Sequence, residues 1–174
     1  MARPFPRLAG AATAAALVAG CASLPNPFAE PDPRWADYKS WTRVNEEPST
    51  GQSPGLGAVH KGAEGYRVVY VNDVGRDTIL SEGDANGDYD YPEGTVVVKE
   101  QYDDEAAYLA GAEAGEVDVT VSLKTGAGPD PAANWEWAAG YTATAGESQF
   151  CSGCHSIPIA KDFVFSNANY LAAN

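Results

Sequence analysis

The sequence is poor in the residue types that most often bind metal ions or carry positive charge. Its 174 residues include three cysteines, two histidines and one methionine, Met1. Basic residues are also few: 11 lysines and arginines stand against 24 aspartates and glutamates, which gives a formal net charge of −13. This acidity argues against nucleic acid as a partner, while a neutral or cationic small substrate or a basic soluble redox partner stays compatible with it.

The N-terminal segment has the pattern of an export signal. Arg3 and Arg7 precede a short alanine-rich run that ends in Leu-Val-Ala-Gly before Cys21. The run is too short and too weakly apolar to span a bilayer, and its end resembles a bacterial lipobox. We expect residues 1–20 to be a lipoprotein signal peptide and Cys21 to be lipidated, so that the protein is exported to the periplasmic side and anchored to a membrane. The alternative is an ordinary secretory signal in which Cys21 has no role.

Composition divides the rest of the chain into two parts. Residues 21–34 contain four prolines and read as a semi-rigid tether between the anchor and a domain. Residues 35–174 are long enough for one domain with a real core.

Four segments have the composition of β-strands bounded by turn residues: 65–73, 94–102, 116–124 and 134–143. In the third segment Val119 and Val121 alternate with Asp118 and Thr120, which predicts that these two pairs lie on opposite faces. Helical patterns occur at 77–81 and 104–111, and a short helix is expected to start at Asp32 and extend through Trp41. Residues 45–65 read as a loop. The fold class is therefore mainly β: an antiparallel sheet with an N-terminal helix and short helical turns.

The segment Phe-Cys-Ser-Gly-Cys-His near the C-terminus is the strongest motif. A zinc site needs four well-spread ligands, which Cys151, Cys154, His155 and His60 supply poorly. A thioredoxin-like pair needs a strand, a loop and a helix around it, and the preceding segment is loop-like. A Cys-x-x-Cys-His sequence is typical of covalent c-type haem, in which the two thiols form thioethers and the histidine binds the iron.

The second axial position of such a haem is the next question. Met1 is removed with the signal peptide, which excludes the His/Met ligation of electron-carrying cytochromes c in the mature protein. Bis-histidine ligation requires His60, which lies in a glycine-bounded loop. We therefore expect five-coordinate iron with one open face, which binds or transforms a small molecule.

Taken together, Tyr-Pro-Glu-Gly-Thr-Val-Val-Val-Lys-Glu (91–100) and Cys-Ser-Gly-Cys-His with Lys-Asp-Phe-Val-Phe (151–165) resemble the cytochrome P-460 family, which includes the cytochrome c'-beta-like proteins. Two further segments, Gly-Tyr-Arg-Val-Val-Tyr-Val-Asn-Asp and Asn-Trp-Glu-Trp, match in order and spacing. The resemblance covers roughly residues 35–170, nearly the whole mature chain. It implies a β-rich homodimer with one haem c per chain, attached to Cys151 and Cys154 and bound through His155.

The resemblance also implies roles for residues on the other side of the haem. In cytochromes P-460 proper, a lysine at the position of Lys99 bonds covalently to the haem edge, and a distal arginine falls on Arg67. These proteins oxidise hydroxylamine, and with it nitric oxide. From the residues alone, the alternative for Lys99 is a lysine at a strand end that extends to solvent.

Two departures from the family bear on the activity. The distal glutamate of the hydroxylamine oxidisers aligns with Thr120, and Asp118, two residues earlier on the same face, is either the proton acceptor or a solvated strand residue. The phenylalanines that cap the iron in cytochrome c'-beta have no counterpart between Phe28 and Phe150, and Tyr66, Tyr70 or Trp137 would have to fill that role. The leading hypothesis is therefore a hydroxylamine or nitric oxide oxidoreductase, the second a non-enzymatic nitric oxide binder, and the third an electron carrier.

Overall fold

The computed structural model describes residues 29–48, 66–82, 90–157 and 162–164. Within them, five strands form one antiparallel sheet: β1 (Thr42–Pro48), β2 (Tyr66–Val71), β3 (Val96–Tyr102), β4 (Asp118–Lys124) and β5 (Trp135–Ala139). The strands lie side by side in chain order, so each pairs with the next one. The prediction of a mainly β, antiparallel fold is confirmed, and β2 to β5 fall inside the four segments that the sequence marked as strands.

Strand β1 is the element that the sequence pattern missed. Its last four residues, 45–48, belong to the segment expected to be a loop. β1 contains one apolar residue, Val44, and it lies at the edge of the sheet, where it pairs on one side with β2. Backbone pairing with β2 therefore produces this strand, and a hydrophobic pattern has little part in it. The rest of that segment, including His60, lies outside the described residues, as do Cys21 and the signal peptide.

In the described part of the chain, three short α-helices accompany the sheet: α1 (Asp73–Glu82), α2 (Glu105–Ala110) and α3 (Gln149–His155). The N-terminal helix is shorter than predicted, because it is a 3-10 helix over Tyr38–Ser40 and does not extend from Asp32 to Trp41. The segment before it forms turns, in which the Trp35 amide donates to the Asp32 carbonyl at 3.0 Å and the Tyr38 amide donates to the Trp35 carbonyl at 3.2 Å. The Asp32 carboxylate receives the Arg34 side chain in an exposed pair.

Both faces of the sheet are covered. Valines 69, 71 and 97 pack with Trp135, Trp137 and Phe163 on one side, and Cys151 of α3 packs against them. We call this side the cysteine face. The opposite side, here the tyrosine face, carries Tyr38, Tyr70 and Tyr102 together with valines from β2, β3 and β4. The alternation predicted for β4 is confirmed, since Val119 and Val121 are buried on the tyrosine face and Asp118 and Thr120 lie on the other.

No helix in the described parts of the chain is both long and apolar enough to cross a membrane.

Candidate haem site

The Cys-x-x-Cys-His motif forms helix α3, a placement that the sequence did not predict. Ser148 caps the helix, and its Oγ accepts a hydrogen bond from the Cys151 amide at 3.2 Å. Cys151 and Cys154 are three residues apart, so their side chains lie on the same side of the helix. Both are free thiols and both are partly buried. The helix thus presents two thiols side by side next to the cysteine face.

His155, at the end of α3, is held in one orientation. Its Nδ1 lies 2.7 Å from the Phe163 carbonyl oxygen, and its ring packs against Trp137 with ring centroids 4.5 Å apart. Because a carbonyl can only accept, Nδ1 carries the proton, and in the neutral ring the lone pair belongs to Nε2. Burial lowers the pKa of His155 to about 4, the hydrogen bond to Phe163 opposes this shift, and the charge of Lys99 adds to it. The imidazole is therefore neutral at pH 7, in the form that binds a metal ion.

Lys99 lies close to the motif from the sheet side. Burial lowers the pKa of its amine to about 7, the positive charge of Arg67 lowers it further, and the thiols of Cys154 and Cys151 act in the opposite direction. An amine with this pKa is neutral in a large fraction of molecules near pH 7, and the neutral form is the nucleophile. Lys99 and Val97 lie on the same face of the sheet, because their partners in β2, Val69 and Val71, both belong to the cysteine face.

Strand pairing brings the predicted distal residues together on the cysteine face. Lys99 lies opposite Val69 on one side and Thr120 on the other. In the next row Gln101 lies between Arg67 and Asp118. Thr120 is partly buried and Asp118, two residues earlier in β4, is exposed, so this face of β4 extends from the protein interior towards solvent. The roles assigned to Lys99, Arg67, Asp118 and Thr120 remain predictions.

Gln101 is a site residue that the sequence analysis missed. Its side chain is 2% exposed and it occupies the middle of the row that begins at Arg67. Burying a primary amide is unfavourable unless it is hydrogen-bonded. The signal was present, since Gln101 is two residues after Lys99 in a strand and therefore on the same face.

The aromatic residues that the sequence suggested as caps of the iron lie on different faces of the sheet. Tyr66 and Tyr70 belong with the tyrosine face, so the suggestion that they line the distal pocket was wrong for both. The physical reason is the two-residue period of β2, which puts them opposite to Arg67 and Val69. Trp137 lies on the cysteine face next to His155. Its buried Nε1 has no hydrogen-bond partner among the described residues, as expected where a polar group from outside the chain completes the site.

Among the described residues, no three His, Cys, Asp or Glu side chains cluster as they would around a metal ion held by the chain alone. Two adjacent thiols, one neutral imidazole and an unsatisfied indole N–H next to an apolar sheet face fit a haem far better. The arrangement is thus that of a haem-binding β protein. The family model of cytochrome P-460 matches residues 35–166. The chain belongs to the cytochrome P-460 family and is a haem protein of that type. No curated protein matches the chain.

Proposed function

We propose that the protein holds one haem c, with thioethers to Cys151 and Cys154 and with His155 as the proximal ligand of the iron. When bound, the haem supplies the redox chemistry. The free thiols, the protonation of Nδ1 and the neutral state of His155 support this assignment. The iron site would be open to a small nitrogenous substrate or gas.

We further propose that the protein is an oxidoreductase that acts on hydroxylamine or nitric oxide. The observation that carries this proposal is the position and pKa of Lys99, a partly buried and easily deprotonated amine close to both cysteines and His155. Such an amine is suited to form the covalent bond to the haem edge that distinguishes the hydroxylamine-oxidising relatives. Without that bond, the same neutral amine still tunes the surroundings of the haem.

Oxidation of hydroxylamine releases protons and electrons, and the chain must carry the protons away. Thr120 lies beside Lys99 and Asp118 lies one row nearer to solvent on the same strand. We assign Asp118 as the acceptor that passes protons to water, and Thr120 as a hydroxyl that positions the substrate. Arg67, at the other end of the Asp118 row, supplies positive charge. A soluble redox partner takes the electrons.

One observation favours a second function, non-enzymatic binding of nitric oxide. The residue directly opposite Lys99 on β4 is a threonine, where the hydroxylamine oxidisers have glutamate, and the carboxylate of Asp118 is exposed in the neighbouring row. If that carboxylate does not accept protons from the substrate, gas binding survives and hydroxylamine oxidation does not.

The setting of the protein is part of the same proposal. We propose export by the signal peptide 1–20, lipidation of Cys21 and attachment to a membrane on the periplasmic side. Residues 35–174 act as a homodimer, and nucleic acid is not a partner of this acidic chain.

The decisive experiment uses protein matured by its export and haem-attachment machinery. Denaturing mass spectrometry and the ferrous optical spectrum are compared for the wild type, Lys99→Ala and the matched control Lys39→Ala, in which the lysine lies on the tyrosine face. We expect a red-shifted ferrous Soret band and hydroxylamine turnover in the wild type and the control, and their loss in Lys99→Ala. An ordinary five-coordinate spectrum without turnover in the wild type would replace the enzyme by the nitric oxide binder. Absence of covalent haem would overturn both.

A further inference from the structure

Asp162 is the centre of a buried cluster that the proposed chemistry does not use. Its carboxylate receives three donors from separate parts of the chain: Lys124 Nζ at 2.5 Å, the Tyr91 amide at 2.9 Å and Trp135 Nε1 at 3.2 Å. Asp162 is 3% exposed and Lys124 is 4% exposed. The last residue of β4, the first residue of β5 and the segment before β3 are therefore all hydrogen-bonded to one side chain.

The backbone at Asp162 is held in an unfavourable conformation. Asp162 and Phe163 have φ angles of 48° and 66°, in the left-handed region. Aspartate tolerates this region, but for phenylalanine the left-handed conformation costs about 1–2 kcal/mol. The Phe163 side chain is 2% exposed and packs in the cluster of the cysteine face. A strained turn of this kind persists only where its surroundings hold it, and the three bonds to Asp162 together with the burial of Phe163 do so.

The strained turn has a direct contact with the haem ligand. The carbonyl that accepts the hydrogen bond from His155 Nδ1 belongs to Phe163, the residue after Asp162. A hydrogen bond at the second nitrogen of a metal-binding histidine fixes its tautomer and orientation and makes the ring a stronger donor to the metal. Whatever fixes the Phe163 carbonyl therefore acts on the iron through His155.

We infer that Asp162 is a positioning residue for the iron ligand. Its carboxylate, anchored by Lys124, Tyr91 and Trp135, holds the left-handed turn that presents the Phe163 carbonyl to His155. This inference rests on the proposed role of His155, and it applies equally to an enzyme and to a nitric oxide binder.

The competing explanation is that Asp162 only stabilises the fold. Glu100 provides the matched control, because it is also a fully buried carboxylate bound by a lysine and by aromatic side chains, but on the tyrosine face. If Asp162 is merely structural, variants at either site lose stability and leave the iron unchanged. If it positions His155, only variants at Asp162 change the bond between iron and imidazole.

The test compares haem-loaded wild type with three variants by resonance Raman spectroscopy of the ferrous form, and by redox titration. Lys124→Met/Asp162→Ala removes both charges, so that no ammonium is stranded, and removes both carboxylate oxygens that accept the hydrogen bonds from Tyr91 and Trp135. Lys124→Met/Asp162→Asn keeps one acceptor oxygen and a residue that tolerates the left-handed region. Glu100→Gln is the control.

We expect the iron–histidine stretching frequency to fall and the reduction potential to rise in Lys124→Met/Asp162→Ala, because the imidazole becomes a weaker donor. Lys124→Met/Asp162→Asn should shift both in the same direction by less, and it carries the test alone if the alanine variant does not fold. Glu100→Gln should leave both at the wild-type values.

Two outcomes overturn the inference and are distinguishable. If the wild type shows the iron–histidine band and the Asp162 variants leave it and the potential unchanged, or Glu100→Gln moves them equally, Asp162 does not position the ligand. If the wild type shows no such band, its ferrous iron is not five-coordinate with His155 as the ligand, and the proposed haem ligation falls together with the inference.

Discussion

Lys99 and Glu100 are neighbours in β3, and the sheet gives them opposite surroundings. On the tyrosine face, Glu100 is completely buried and receives Lys39 Nζ at 2.5 Å and the hydroxyls of Tyr38 and Tyr102 at 2.6 and 2.8 Å. On the cysteine face, Lys99 has a second cation, Arg67, nearby, and its charged form is disfavoured. The surroundings of Glu100 satisfy its buried charge, whereas those of Lys99 disfavour a buried charge, as expected where Glu100 serves stability and Lys99 serves chemistry.

The largest effect on stability is expected from Glu100→Gln. The carboxylate accepts from several donors, whereas an amide has one acceptor oxygen and turns its own donors towards them. We expect a loss of about 3 kcal/mol in the free energy of unfolding, measured by urea denaturation. Glu105→Gln, at an exposed position in the first turn of α2, should change it by less than about 0.5 kcal/mol. A loss below about 1 kcal/mol in Glu100→Gln would show that the tyrosine face does not depend on this charge.

Lys99→Met should have the opposite sign and should depend on pH. The folded pKa of about 7 lies below the ordinary 10.5, so the unfolded chain binds more protons between these values, and wild-type stability rises as pH rises through this range. Below pH 7 the amine is charged in both states and burial is most costly. We expect Lys99→Met to stabilise the protein by about 2 kcal/mol at pH 6, after allowance for partial exposure, and to have little effect near pH 10.

This measurement uses a Cys151→Ser/Cys154→Ser background, in which haem cannot be attached and no cross-link can form. Urea unfolding at pH 6 and pH 10 then reports on the amine alone. Lys39→Met is the matched control, because it leaves buried Glu100 without its cation and should destabilise at both pH values. A destabilising or pH-independent effect of Lys99→Met would contradict the low pKa of this amine.

Smaller effects should follow the geometry around Glu100. Tyr102 donates to Oε2 at 2.8 Å and Tyr70 donates to the same oxygen at 3.3 Å. We expect Tyr102→Phe to cost about 1 kcal/mol in urea denaturation and Tyr70→Phe to cost less, because the longer bond is weaker. Each substitution removes a hydroxyl and keeps the ring, so it serves as the control for the other. The reverse order would mean that the length of the bond to Glu100 does not set the cost.

The smallest effect on stability should come from Asp118→Asn, with a large effect on catalysis. Asp118 is exposed, so the free energy of unfolding should change by less than about 0.5 kcal/mol. As the proposed proton acceptor, it should slow hydroxylamine oxidation by about 100-fold, measured in steady-state assays. Glu113→Gln, a similar change at an exposed carboxylate, should not alter the rate. If Asp118→Asn has wild-type activity, the proton acceptor lies elsewhere.

Local patterns in the sequence predicted most of the strands and the alternation within them. The alternation of β4 placed Asp118 and Thr120 on one face of their strand, and the family resemblance pointed to Lys99 and Arg67. The pairing of β2, β3 and β4 then brought these residues together on the cysteine face, and it added Gln101. Strand β1 was not predicted, because an edge strand needs little hydrophobic pattern. The length of the helix at Asp32 was overestimated, because a favourable cap does not decide between α and 3-10 turns.

Long-range contacts were beyond what the sequence could show. The bonds of Glu100 to Tyr38 and Tyr70 join residues 62 and 30 positions apart, and Asp162 meets Tyr91 across 71 positions. Each partner is an ordinary residue in its own segment, and only the folded chain brings them together. The same applies to the Phe163 carbonyl, because a backbone group carries no signature in the sequence.

The adjacency of Lys99 and Glu100 has a consequence for how the chain finds its structure. A slip of β3 by one residue against its neighbours would move the lysine among the tyrosine hydroxyls and Lys39, and the carboxylate beside the thiols. Lys99 would then be buried beside a second lysine, and Glu100 would lose Lys39 and the tyrosine hydroxyls that compensate its charge, at a cost of several kcal/mol. Lys99 and Glu100, two consecutive residues of opposite charge, therefore disfavour the sheet with this shifted register relative to the native sheet, before any haem is attached.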